Sequence, residues 1–409
     1  MKKKISIILL ILILTTSLYA SVQSIYIPYR LRSEAMGGTS VSSALSDDIL
    51  YANPALINAD EAYISIPALS ISLFNFNRLI EKGGPLYMLL AKEDWSNETL
   101  LSGLINSIMP GEGDLASINL SMSLISGIMG MSFDTTLDLH TSGRGSENST
   151  VIAEANVAAA LGLGIPIEMG PVKVSFGLMG RLNFRFYTVD SLNSDKVGGF
   201  SASTINSMLN DEDIAYTLLN ATPVSAGISF PIDFGMAIYF PFGFKAGAVW
   251  RGLNSSFTMQ NWNGVNQLYN SVTGGYIDQM PSDIEMGSRF TFSSPSSFDI
   301  GVSWRSEKNW FTSYIMPSVA VDFVDLMNLF NNLTVESFVY HTRLGAELKF
   351  MNILSLQAGL NQGYLSLGVD FNLQIFRVGV VYATHEYGES LGETPLDSLS
   401  IRFLLGYGH

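Results

Sequence analysis

The sequence predicts an all-β fold: a transmembrane antiparallel β-barrel of about fourteen strands, closed around a small N-terminal plug, or hatch. Three observations predict it. First, the chain is apolar without being helical in the way a membrane helix is. Charged residues make up 14% of its 409 residues and mean hydropathy is +0.26. Yet past the leader no segment reaches the ~18 uninterrupted apolar residues that a spanning helix needs. Second, apolar and polar residues alternate with period two through runs of about ten residues, longer than the roughly five or six of soluble strands. Third, a secretory leader opens the chain. A soluble β-sandwich would share the period, but its polar face would be dense in Lys and Glu. Here that face is Gly, Ser, Asn and isolated charges.

The leader occupies residues 1–20. Lys2, Lys3 and Lys4 form a basic start, Ile5 to Leu14 an apolar core, and Ala20 offers a small residue for cleavage. The run is short for an uncleaved anchor helix. Residues 21–61 follow as a compact island rich in Gly, Asp and Asn-Pro. It holds Arg32-Ser33-Glu34-Ala35-Met36-Gly37-Gly38-Thr39, then Asp47-Asp48, then Asn53-Pro54-Ala55-Leu56-Ile57. It is too broken for a strand and too compact for a linker, so it reads as the plug. Gly37 and Gly38 would permit tight turns. Asp47 and Asp48 would bond turn amides or pair with Arg residues of the lumen.

Residues 62–409 read as the barrel wall. Ala62 to Phe74 is the first extended segment, and two strands fit between Ile118 and His140. From Val151 to Ile165 every second residue is apolar, while Glu154, Asn156, Gly162 and Gly164 face the other way. Val172 to Phe186 repeats the pattern against Lys173, Ser175, Gly177, Arg181, Asn183 and Arg185. Strands resume over Val224–Tyr239 and Phe244–Leu253. Asn254 to Ser282 reads as a polar loop. Further strands fit near Glu285–Phe292, Phe298–Arg305, Thr312–Phe323 and Tyr340–Phe350. The last third alternates most cleanly, with short connections that favour antiparallel hairpins. Tyr187, Tyr239, Trp250, Trp304, Trp310 and Tyr407 sit near strand ends, where aromatic belts meet the membrane surface. Two loop insertions near 96–108 and 201–220 have helical spacing. Leu100, Leu104, Ile105 and Ile108 form an apolar stripe, either packed on the protein itself or presented at the barrel mouth as a landing groove.

Composition excludes several functions. A formal net charge of −14 disfavours nucleic acid, and the absence of cysteine removes disulfide and thiolate chemistry. None of His140, His341, His385 and His409 has a second His at metal spacing, and only His385-Glu386 places a carboxylate beside one, in a turn, so no metal and no cofactor is expected. No Gly-x-Ser-x-Gly elbow or phosphate loop stands in a strand-turn-helix context, so no enzymatic activity is expected. Arg181 and Arg185 share the lumen face. They would either meet a ligand carboxylate or pair with Glu154, Glu347 and Asp370.

Ala35-Met36-Gly37-Gly38, Asp47-Asp48 and Asn53-Pro54-Ala55-Leu56-Ile57, in that order after a leader and before an alternating chain, resemble the hatch signature of the FadL superfamily. Those are outer-membrane transporters of long-chain fatty acids and other hydrophobic compounds. His341 to Phe350, Leu360-Asn361-Gln362-Gly363-Tyr364, and Tyr382 through Glu386-Tyr387-Gly388 with Gly392 resemble branches found in spirochaetes and relatives, some labelled TraF-like. The resemblance implies residence in a bacterial outer membrane among its lipids. It implies passive uptake of a linear hydrophobic compound, with displacement of the hatch and lateral release. Other branches serve in secretion or shuttle proteins to the cell surface, which implies instead a structural protein with an envelope partner. The chain departs from outer-membrane barrels in ending on Gly408-His409 rather than an aromatic, with Tyr407 as the substitute.

Overall fold

A computed structural model describes residues 28, 30–57, 62–81, 113–142, 150–194, 198–201, 222–273, 286–307, 314–388 and 390–408. The leader and the stretches near 96–108 and 201–220 lie outside these residues, and with them Leu100, Leu104, Ile105, Ile108 and Trp310.

The chain forms a closed antiparallel barrel of 14 wall strands. They are β1 (Tyr63–Phe74), β2 (Gly113–Ser126), β3 (Met129–Ser142), β4 (Thr150–Met169) and β5 (Val172–Thr188). Three adjacent strands follow in two pieces each: β6 (Val224–Ser229 and Ile232–Tyr239), β7 (Phe244–Leu253 and Ser256–Trp262) and β8 (Met286–Ser293 and Ser297–Arg305). The wall continues with β9 (Ile315–Phe323), β10 (Thr342–Phe350), β11 (Leu354–Asn361), β12 (Tyr364–Leu373), β13 (Phe376–Glu386) and β14 (Pro395–Gly408). Closure comes from β1 pairing with both β2 and β14, where Tyr63 faces Gly408. No helix among the described residues is long and apolar enough to cross a membrane.

The faces are those of a protein whose surroundings are apolar. Outward side chains such as Leu161 (64% exposed), Phe176, Leu178, Leu356 and Leu367 are exposed. Inward Asn156, Arg181, Asn183, Glu347 and Ser355 are buried. Water would penalise this arrangement and lipid rewards it. Short turns at 127–128, 170–171, 351–353 and 374–375 gather at one end of the barrel, with both ends of the wall. The longer connections, including 324–341 and 387–394, leave from the other. Outer-membrane barrels turn the short-turn end to the periplasm.

The two-piece strands differ from the sequence reading. Pro231 and Pro295 lack an amide hydrogen for the ladder, and Asn254 adopts a left-handed φ of 59°. These three positions lie side by side on β6, β7 and β8, so the wall bends along one line. Beyond that line the stripes exchange faces on β7: Phe257 and Met259 point inward to Tyr187, while Ser256 and Thr258 face out. The expected polar loop over 254–282 therefore contains the second piece of β7 and a helix, Val265–Thr273. Tyr187 is likewise buried within the barrel rather than placed in an outer belt, whereas Tyr407 does face outward.

Candidate functional site

Residues 30–57 pack against the inward face of the wall on all sides. Leu31–Ala35 forms a short helix that ends at Gly37 and Gly38, whose φ angles of 65° and 84° let the chain turn back. The amides of Gly37 and Gly38 donate to the carbonyls of Glu34 and Ser33, satisfying the helix end. Ser46–Asp48 and Ile49–Ala52 make two further turns. Asn53 caps the last one, Pro54–Leu56, accepting from the Ala55 amide at 3.0 Å. Its Nδ2 donates to Val41 within the segment and to the Met236 and Ala248 carbonyls of the wall. Ile49, Leu50, Tyr51, Ala55, Leu56 and Ile57 form one apolar cluster with Ile125, Ala160, Met179 and Ala237 of the wall.

The wall is cut to fit this segment. A Cβ on Gly177 would lie 2.1 Å from the Ala55 nitrogen, and one on Gly359 2.2 Å from the Gly37 nitrogen. At Gly235 it would meet Asn53 Oδ1 at 2.1 Å, and at Gly379 the Leu31 side chain at 2.1 Å. Wall glycines thus stand where the segment's backbone passes.

Charges complete the fit. Arg32 forks onto Glu347 of β10, at 2.9 Å and 3.2 Å. Arg30 meets Asp134 of β3 at 2.9 Å. Asp322 of β9 accepts from the Ser40 and Val41 amides at 2.6 Å and 2.8 Å. Arg402 of β14 donates to Asp47, His385 of β13 meets Glu34, and Arg251 of β7 donates to the Tyr51 carbonyl. Burial opposes ionisation of Asp47, but Arg402 and then Arg30 outweigh it and hold its carboxyl below the usual range. Arg181 and Arg185 pair within the wall, with Asp233 at 2.8 Å and Glu154 at 2.7 Å.

Asp48 is different. It is 2% exposed, and neither carboxylate oxygen has a hydrogen-bond partner. Burial, with the charge of Asp47 beside it, pushes its carboxyl up to about 6. A carboxyl whose value rises on folding favours the folded state in its neutral form, so this group stabilises the protein as pH falls from 7 towards 4. Two units correspond to something on the order of 3 kcal/mol. Asp48→Asn is therefore expected to raise the denaturant midpoint near pH 7.5 and to change little near pH 4.5. Equal shifts at both pH values would contradict this.

Asp48 lines a cavity of about 390 Å³ at the loop end of the segment, with Arg30, Glu34, Tyr51, Arg251, Asp299 and Asp325. A second concavity of about 980 Å³ lies on the outer face of the wall. It is lined by Ile66, Leu124, Phe133, Leu161, Leu182 and Phe230 among others, and it reaches Pro231 and Asn254 on the bend line. A hydrogen bond links a residue of one to a residue of the other. Ser132 lines the outer recess and its hydroxyl donates to Tyr51 Oη at 2.9 Å. Tyr51 lines the inner cavity and donates to Asp134 at 2.7 Å. At the loop end, Phe330, Leu333, Val335 and Phe338 are exposed on the helices Leu326–Asn331 and Val335–His341 and the turn between them.

Of the residues read from sequence, Gly37, Gly38, Asp47, Asp48, Asn53, Pro54 and Ala55 come together inside the barrel. Arg181 reaches the outer recess by its lining position and Arg185 does not. Sequence reasoning missed Tyr51, Ser132 and the Pro231 bend. It also missed the grouping of Asp138, His140 and Glu154, although Asp138 and His140 stand two apart on one strand face.

No family model matches the chain, and no curated protein matches it. Solved structures do. The toluene transporter TodX of P. putida is 11% identical, with 93% of this chain and 98% of that chain covered and a TM-score of 0.46. The Ralstonia pickettii toluene transporter TbuX is 10% identical over 93% and 98%, with a TM-score of 0.42. A Pseudomonas aeruginosa FadL homologue is 10% identical over 95% and 99%, with a TM-score of 0.39. These neighbours are FadL-family transporters. TodX, TbuX and the FadL homologue are each matched over nearly their full length.

Proposed function

We propose that the chain is an outer-membrane channel for the passive uptake of linear hydrophobic compounds, such as long-chain fatty acids, in which residues 30–57 are the hatch. The observation that carries this reading is the hydrogen bond that joins Ser132 of the outer recess to Tyr51 of the inner cavity. The lumen is filled, so straight passage is closed. A greasy compound gains nothing by crossing water, and a side exit delivers it to an apolar medium. The exposed apolar residues at 326–341 supply a landing surface at the mouth. The hatch movement required is local, a swing of Tyr51 and its turn, because ion pairs hold the rest. Glu34, Asp48, Asp299 and Asp325 outnumber Arg30 and Arg251 around the inner cavity, so a fatty acid would pass with its carboxyl protonated. Leu100, Leu104, Ile105, Ile108, Arg181 and Arg185 stay as proposed ligand contacts.

The test uses the protein in liposomes with a panel of a labelled fatty acid, a long-chain alcohol and toluene. Uptake should exceed that of an unrelated empty barrel. Gly180 supplies the sharper arm. It lines the outer recess, and a Cβ there meets nothing within 4 Å. Gly180→Trp should fold, fill the recess and reduce uptake severalfold. Unchanged uptake would remove the side exit, and no uptake by the parent would remove transport itself.

A second reading is favoured by the ion pairs that fix the inner segment from β3, β10, β13 and β14. On it the barrel is a static, non-enzymatic outer-membrane anchor in an envelope or secretion assembly. A stoichiometric protein partner in native envelopes, with no uptake in liposomes, would select it.

A further inference from the structure

The wall carries a cluster of ionisable groups of which the proposed transport route uses only Arg185. It lies on the inward face near the loop end, on the adjacent strands β2, β3 and β4. Asp138 of β3 stands directly opposite Glu154 of β4, and His140 directly opposite Asp114 of β2. Two carboxylates facing each other across a strand pair repel and destabilise the pairing. The carboxylates of Asp138 and Glu154 and the ring of His140 offer ligand atoms that all lie within 4.8 Å of one another.

Two atoms in this group are left without hydrogen bonds. Glu154 is 2% exposed and its Oε2 has no partner; His140 is 9% exposed and its Nε2 has none. They face each other at 3.6 Å, too far for a hydrogen bond. Two ligands each about 2.1 Å from one tetrahedral ion stand roughly 3.4 Å apart. The separation is therefore that of two ligands of one ion.

The atoms behind these ligands are already committed. His140 Nδ1 bonds to Asp114, which leaves the Nε2 lone pair pointing into the cluster in the neutral ring. Asp114 is itself held by the Tyr387 hydroxyl. Glu154 Oε1 accepts from Arg185 at 2.7 Å and Asn156 at 2.6 Å, leaving Oε2 without a hydrogen bond and facing the His140 ring. A carboxylate behind a ligating imidazole, and hydrogen bonds behind a ligating carboxylate, are what metal sites use to orient their ligands. Asp114, Asp138 and Glu154 against Arg185 leave two negative charges, which a divalent ion neutralises.

We propose that Asp138, His140 and Glu154 form a binding site for a divalent transition-metal ion of the zinc type, with Asp114, Asn156 and Arg185 as positioning residues. One imidazole with carboxylates suits zinc, or cobalt in its place, better than calcium or magnesium. The bound ion ties β3 to β4 beside the mouth, with β2 held through Asp114 and His140.

The test takes the full chain, carrying no histidine tag, folded in detergent and stripped with chelator. Co2+ is the spectroscopic probe and Zn2+ the calorimetric one. One equivalent of Co2+ should bind with visible bands of low coordination number, and Zn2+ should displace it. X-ray absorption of the zinc form should read one imidazole ligand. His140→Ala should abolish binding. Glu154→Gln, which keeps the side chain's shape and its contacts to Arg185 and Asn156, should do the same. Asp114→Asn should weaken binding roughly 10- to 100-fold, and His341→Ala should leave it unchanged. No saturable Co2+ binding by the folded parent overturns the proposal. So does saturable binding that survives His140→Ala, or a zinc shell without imidazole.

Discussion

Removal of Ala35 to Ile57 should convert an ion-tight barrel into a conducting one. The wall alone encloses a polar lumen: Asp134, Asp322, Glu347 and Arg402 all face inward and are buried by the segment. Without it, water fills the space. The charges left behind would then be hydrated, not stranded in an apolar interior, so the penalty for breaking a buried pair is largely avoided. The wall ladder is continuous around the barrel, and insertion should survive. In planar bilayers the parent should show little current and the deletion variant clear single-channel steps. A deletion variant as tight as the parent would mean that residues 35–57 do not close the lumen.

The second large effect is expected at Glu347. This carboxylate takes two bonds from Arg32, one from Gln357 at 3.0 Å and one from Arg305 at 3.3 Å. Glu347→Ala leaves the Arg32 guanidinium buried, 4% exposed, without its counter-ion. Truncating one member of such a pair costs about 3–5 kcal/mol. The loss should appear first as faster hydrogen exchange in residues 31–38 and as flickering conductance, because the wall can hold without the segment. Replacing both partners by apolar residues of similar volume, Arg32→Met with Glu347→Leu, should recover much of the loss. A double variant as damaged as the single one would show that the pair is not acting as a unit.

Much of the wall is legible in the sequence because lipid on one side and a polar lumen on the other enforce a strict period of two. Leu354, Leu356, Ala358 and Leu360 against Ser355, Gln357, Gly359 and Asn361 can be read one way only. The second piece of β7 was not legible. There Ser256 and Thr258 face out and Phe257 and Met259 face in, so the pattern reverses beyond the bend line. The island at 32–57 was legible as a folded unit from its turn residues, and its glycines and Asn53 act locally as expected. Its partners were not. Arg32 and Glu347 are 315 positions apart, and no local pattern pairs them. The same limit hid the group on β2, β3 and β4, which exists only once the ladder sets Asp138 beside Glu154. His140 offered no cue beyond its place two residues from Asp138.

The glycines that clear the wall for the inner segment bear on the order of assembly. Gly345, Gly359, Gly368 and Gly379 belong to the last third of the chain, yet they make room for Leu31 to Thr39 near its start. Residues 31–39 therefore have no finished seat until the last strands arrive. The same late strands must also meet β1 to close the ring. Seating the segment and sealing the cylinder are thus one step, which joins the two ends of the polypeptide. A chain cut short after β9 would lack both the seat and the seal, and its early residues would have nowhere to fold.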